Sequence, residues 1–193
     1  MPLRDPLAQI GRRIVDFFDR GGDAPFVVYQ YDPHDEYPVR SELGQLRTWL
    51  EADTRRVTCV AISLAELFWD AIDESGWAEQ LIAQESAANG DPAGLNEVHN
   101  AVAEILRLSP SLADRVVERL LNAGDRSAVF LYRAGALYPS YRTSTLLDEL
   151  RNRVDRPVTL LYPGKLVGET GLSFMGRAEP TYGYRALIVA RGA

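Results

Sequence analysis

The apolar pattern of this chain predicts an α/β architecture, a Rossmann-like and mainly parallel sheet flanked by helices. Two observations carry that reading. PFVVYQY, VTCVAIS, SAVFLY and PVTLLY are near-continuous apolar runs, as strands buried on both faces require. Between them, apolar residues recur at three- and four-residue spacing, which marks helices. Strands alternating with helices imply parallel strands joined by crossovers, so the C-terminal strand ends gather on one side. Open sheets of this kind bind ligands on that side.

The elements follow in order. Leu7, Ile10, Ile14, Phe17 and Phe18 define an amphipathic helix over residues 3–20, stopped by Gly21-Gly22. PFVVYQYDP is the first strand, ended by Asp32-Pro33. Leu43, Leu46, Trp49 and Leu50 mark the next helix, VTCVAIS the second strand, and Leu64, Leu67, Phe68, Ala71 and Ile72 a helix that follows at once. SAANGDPAG (86–94) is small and turn-rich, so a loop is expected there. Leu95 to Leu106 and Leu112 to Leu121 read as two short helices, with Ser109 or Ser111 capping the second beside Pro110. Together, residues from about 86 to 125 form a helical insert in a single α/β domain over 1–193. SAVFLYRAG is the third strand, followed by a helix carrying Leu146, Leu147, Leu150 and Val154. PVTLLYPG is the fourth. LSFMGRA and YRALIVA, separated by the turn-like EPTYG, predict a C-terminal antiparallel hairpin.

Charge and composition narrow the function. The net charge of −6 disfavours direct DNA binding, which needs a basic face. Cys59 is the one cysteine, so no disulfide forms within the chain, and a reducing cytoplasmic setting fits. MPLRDPLAQIGRRIVDFFDR is charged throughout and lacks the apolar core of a secretory signal. No run of about 18 apolar residues is present to span a membrane.

Catalytic motifs are incomplete. Gly164-Lys165 has Leu166 where a phosphate-binding loop needs Ser or Thr, and Thr159 where it needs its first glycine. GLSFMG has the wrong spacing for a nucleophile elbow. Cys59, His34 and His99 fall on a strand, a loop and a helix, which does not make a zinc set. Asp32, His34, Asp35 and Glu36 cluster tightly enough for a cation, but acidic groups at a helix start need no metal to explain them. No cofactor, metal or catalytic residue is therefore assigned.

The strand ends are more informative. Parallel strands place Asp32, Ser63, Arg133 and Tyr162 along one sheet edge. Arg142 precedes a helix that Thr143 or Ser144 would cap. Arg133 and Arg142 are read as framing one site for an anion or for a partner's carboxylate, and the competing reading is an internal Arg133–Asp32 pair. Tyr132, Tyr138, Tyr141, Tyr162, Tyr182 and Tyr184 crowd the same third of the chain, and tyrosine suits interfaces. The candidate partner- or anion-binding residues are Arg133, Arg142, Tyr138, Tyr162, Lys165, Tyr184, Arg185 and Asp32.

FLYRAGALYPSYRTSTLLDELRNRVDRPVTLLYPG followed by LSFMGRAEPTYGYRALIV resembles the C-terminal signature of the BrxB family of bacteriophage exclusion (BREX) systems. The matching positions are Arg133, Gly135, Tyr138, Pro139, Arg142, Leu146, Leu147, Tyr162, Pro163, Gly164, Tyr184 and Arg185. The N-terminal YDP and the SLAEL segment also fit. The chain departs from the family where an aromatic pair often precedes the last arginine: here Gly183 separates Tyr182 from Tyr184. The resemblance implies phage defence alongside a large ATPase, a phosphatase-like protein and a DNA adenine methyltransferase, and brings no catalytic residues with it. The expected role is a non-enzymatic assembly or adaptor subunit. The alternative is a nucleotide- or phosphate-sensing regulatory domain.

Overall fold

A computed structural model describes residues 3–52 and 54–192. The described chain runs α1 (Asp5–Arg20), β1 (Phe26–Tyr31), α2 (Glu36–Glu51), β2 (Thr58–Ser63), α3 (Leu64–Ser75), α4 (Ala78–Ala88), α5 (Pro92–Arg107), α6 (Leu112–Glu118), β3 (Ser127–Tyr132), α7 (Thr143–Arg151), β4 (Val158–Val167), β5 (Gly171–Phe174) and β6 (Leu187–Ala190). Short 3-10 turns cover Pro33–Asp35 and Ala134–Leu137.

The sheet order is β2-β3-β4-β1-β6, and these five strands are all parallel. Alternation along each strand splits the core in two. Val28, Val129, Leu131, Val158 and Leu160 point to the face covered by α3, α5, α6 and α7. Val27, Tyr29, Tyr31, Phe130 and Leu161 point to the face covered by α1 and α2. Each such side chain contributes about 1.5–3 kcal/mol on burial, which is why the strands read as unbroken apolar runs.

The antiparallel hairpin is present, but with different partners. β4 continues beyond the sheet to Val167, the chain turns at Gly168 with φ 62°, and β5 returns against it, pairing Gly164 with Phe174 and Val167 with Gly171. Residues 184–190 do not pair with this segment. They supply β6, which lies parallel to β1, Val27 opposite Leu187. Thr181 makes only an isolated bridge to Leu172. The expected EPTYG hairpin fails because the extended end of β4 offers β5 a nearer antiparallel edge.

Caps explain several boundaries. The carboxylate of Asp32 accepts from His34 N–H at 3.0 Å and starts the turn leading into α2, so that helix begins well before Leu43. Ser111 and Asp114 form a reciprocal capping box at α6. The expected loop at 86–94 is shorter than its composition suggests. α4 runs to Ala88, Asn89 turns the chain in the left-handed region, and Asp91 caps α5 by accepting from Gly94 N–H at 2.9 Å.

Candidate functional site

Two clefts open over the C-terminal strand ends. The first is a crevice of about 290 Å³. Pro33, Glu36 and Arg40 enter it after β1, Ala65 after β2, Arg133 and Gly135 after β3, and Pro163 and Met175 from the β4–β5 hairpin. It lies where the chain diverges: the helix after β1 packs on one face, while those after β2 and β3 pack on the other.

The second cleft, of about 200 Å³, lies beside the start of α7. Its aromatic wall is Tyr138, Tyr162, Phe174 and Tyr184. Tyr138 meets Phe174 edge-on at 5.7 Å, and Tyr162 contacts Phe174 at 5.3 Å and Tyr184 at 6.1 Å. Arg142, Thr143, Glu179 and Thr181 supply its polar groups. The hydroxyls of Thr143 and Tyr184 are 3.0 Å apart. Tyr162 is fully buried, and the Tyr184 hydroxyl is the hydrogen-bonding neighbour of its own. Burial, with Tyr184 beside it, pushes its ionisation well above the ordinary phenol range, so this hydroxyl remains a neutral donor.

The two arginines do not share a site. Arg133 lines the crevice and Arg142 the tyrosine cleft, because the 3-10 turn Ala134–Leu137 carries the chain from one to the other. The Arg133–Asp32 pair is absent. Asp32 instead sits 2.7 Å from His34 Nδ1, while Arg133 Nη1 lies 4.0 Å from Glu66 Oε1 in an exposed pair. Arg133 adopts the left-handed backbone, φ 58° and ψ 36°, which directs its side chain outward rather than along the strand. Neither Thr143 nor Ser144 caps α7: Arg142 occupies the cap position, and no side chain accepts from the first turn.

Of the other candidates, Tyr138, Tyr162 and Tyr184 join Arg142 in the cleft. Lys165 is exposed on β4, its aliphatic stem packed over Gly176. Arg185 is exposed, and its carbonyl accepts from Arg151. Asp32 is confined to the start of the turn before α2. The sequence reading missed Arg40 in the crevice and Glu179 and Thr181 in the cleft. Arg40 follows Glu36 by four residues on α2, a spacing that marks a helix face; no local signal exposes the other two. Among the described residues, no group of three His, Cys, Asp or Glu side chains is placed to hold a metal ion. No helix among them is long and apolar enough to cross a membrane.

Fold and clefts together define a parallel-sheet α/β protein whose polar, aromatic surface lies over its C-terminal strand ends. The family model described as BREX protein BrxB matches residues 60–189, a span that holds every candidate except Asp32. A curated protein from Bacillus cereus (strain H3081.97), also described as BREX protein BrxB, is 27% identical over 168 residues, covering 86% of this chain and 83% of that protein. No solved structure matches. The chain belongs to the BrxB family.

Proposed function

We propose that this chain is a non-enzymatic assembly subunit of a BREX anti-phage complex. Membership of the BrxB family implies a role in phage defence. In this reading the chain acts in the cytoplasm as one α/β domain with a helical insert at about 86–125. It docks other BREX components, the ATPase, the phosphatase-like protein or the DNA methyltransferase, through its strand-end face.

One observation carries the docking surface. Arg142 and Pro139 are exposed at the aromatic cleft, and Tyr182, which follows the lining residue Thr181 in the chain, keeps 63% of its surface open. Tyrosine and arginine are enriched at binding hot spots because they join apolar area to directional polar groups. The test is co-purification of the full chain with each BREX component at physiological salt. Wild-type protein is expected to capture at least one component, and the Arg142→Ala/Tyr182→Ala double variant to lose it while melting normally. Failure of the wild type to capture any of them removes the proposal. A gel shift with duplex DNA completes the set: retention at physiological salt would replace docking with nucleic-acid binding.

A further inference from the structure

Charge is unevenly spread along this chain. Between Arg56 and Arg107 stand nine acidic residues and no lysine or arginine. That stretch is −9 in a chain of −6, which leaves the rest at +3. It supplies α3, α4 and all but the last residue of α5. Three of its acids meet cations from elsewhere: Asp70 pairs with Arg119, Glu74 with Arg115 and Glu66, at 4.0 Å, with Arg133. Asp73, Glu79 and Glu85 are exposed and enter no ion pair among the described residues.

The same three helices leave an apolar groove of about 190 Å³ between them. Ile72 of α3, Leu81 of α4, and Val98 and Val102 of α5 are buried and make its floor. Trp69 and Ile82 line it while staying 58% and 62% exposed. Folding does not account for Ile82, because α4 buries only Leu81 of its eleven residues. Exposed apolar surface rimmed by polar groups marks an interaction site, and tryptophan is a favoured anchor in one. The unpaired acids border this surface. Glu85 lines the groove three residues after Ile82, Glu79 lies three before it, and Asp73 follows Trp69 by four, all spacings that place side chains together on a helix.

Charge and shape select the occupant. An acidic rim repels nucleic acid and anionic lipid. A second copy presenting this same face would bring like charge against it. The volume lies below the roughly 300–1,000 Å³ of small-molecule pockets, so it suits side chains better than a cofactor. No strand among the described residues lines the groove, so an added strand has no edge to pair with. A helix with one apolar face fits all four conditions, with its apolar side chains between Trp69 and Ile82 and its lysines or arginines against Asp73, Glu79 and Glu85.

We propose that the groove between α3, α4 and α5 docks a cationic amphipathic helix of a partner protein. The groove meets the aromatic cleft only at Tyr138 and Pro139. It is a second surface and does not rest on the strand-end docking face.

Fluorescence anisotropy with the full chain tests the proposal. The probe is a labelled synthetic helical peptide with leucines on one face and lysines on the other. One control peptide carries glutamates in place of the lysines, another serines in place of the leucines. The leucine–lysine peptide is expected to bind, more weakly as salt rises, and both controls at least tenfold more weakly. Ile82→Ser and the Glu79→Lys/Glu85→Lys double variant change exposed side chains. Each is expected to melt as wild type and to lose at least tenfold in affinity for the leucine–lysine peptide. Glu97 and Glu104 lie on the side of α5 opposite Val98 and Val102. Glu97→Lys/Glu104→Lys makes the same change in total charge and is expected to keep the affinity. No binding at millimolar concentration overturns the proposal, as does equal binding of either control peptide or an equal loss in the Glu97/Glu104 variant. A dimer in analytical ultracentrifugation that Ile82→Ser dissolves overturns it too, since a second copy would then fill the groove. These probes and substitutions differ from those of the co-purification, so either proposal can fail alone.

Discussion

Arg191 closes on Glu42 across 149 residues of chain, its Nε 3.0 Å from Oε1 and 3.2 Å from Oε2. Glu42 is 5% exposed. Tyr29 donates to its Oε2 at 2.7 Å, Arg4 reaches its Oε1 at 3.2 Å, and Arg191 also bridges to Asp35 at 2.7 Å. This network fastens the end of β6 to α2. Removing one member strands a buried charge, which costs about 3–5 kcal/mol. Glu42→Ala is expected to lose an amount in that range in urea denaturation. Arg191→Ala should fall near its lower end, because Arg4 still approaches the carboxylate. Wild-type stability in Arg191→Ala would show that the network contributes nothing.

The same network sets an acid dependence. Burial alone pushes the Glu42 carboxyl up, but hydrogen bonds from Arg191 and Tyr29 and the charges of Arg191 and Arg4 outweigh it and hold the group below its ordinary value. A carboxyl depressed in the folded state takes up its proton first in the unfolded chain. Its contribution is therefore complete above the unfolded value of about 4.3 and is lost as pH falls through the lower folded value. Asp114 and Glu74, held low by hydrogen bonds from Ser111 and from Arg115 respectively, act in the same direction, but Glu74 is exposed and Asp114 only half-buried, so both add little. Urea midpoints measured from pH 6 to pH 3 are expected to fall most steeply below pH 4.3, and to fall less steeply in Glu42→Gln. Equal slopes in the two proteins would assign the acid dependence elsewhere.

The Tyr-Pro-Gly motif has a packing explanation at its third residue. A β-carbon on Gly164 would stand 2.3 Å from the Ser173 carbonyl oxygen and 2.6 Å from the Tyr162 ring. Gly164 begins the pairing of β4 with β5, so neither neighbour moves without disturbing the hairpin. Gly164→Ala is expected to cost about 1–3 kcal/mol, read as a fall in melting temperature. A wild-type melt would mean the hairpin shifts freely.

Arg133 bears on the competing reading of an internal Arg133–Asp32 pair. It is a non-glycine residue in the left-handed region, with an exposed side chain and one loose ion pair. That backbone costs an ordinary residue about 1–2 kcal/mol, and the ion pair returns no more than about 1 kcal/mol. Arg133→Gly is expected to be at least as stable as wild type, Arg133→Ala to lie within about 1 kcal/mol of it, and Arg133→Val to be the least stable of the three. Chemical denaturation of the three variants checks the order. A large loss in Arg133→Gly would return the arginine to a structural role.

The parallel strands were legible because burial on both faces leaves continuous apolar runs. α4 was not, because only Leu81 of its eleven residues is buried, and a helix without an apolar stripe shows no period. The hairpin was misassigned for a related reason: LSFMGRA and YRALIVA look alike as short apolar segments, and strand choice depends on which edges other elements leave open. At the site, the tyrosines and arginines were visible as residue types. Which of them meet was not, since a single 3-10 turn separates Arg133 from Arg142. The Glu42–Arg191 contact left no local trace, as nothing near Arg191 in the chain names a partner on α2.

The position of β1 has a consequence for how the protein is made. It is the earliest strand in the chain, yet its two sheet neighbours, β4 and β6, come late: Phe26 waits for Val158, and Val27 for Leu187. At about 5–20 residues per second of translation, that wait is on the order of ten seconds. During it an apolar FVVYQY segment has two bare edges and no native strand beside it, the condition in which strands pair with the wrong chain. α1 and α2, which cover one face of β1, are available much sooner. Their early packing would shield that face of the nascent strand while its edges stand open, which places the burden of avoiding misassembly on the first fifty residues rather than on the family signature that follows them.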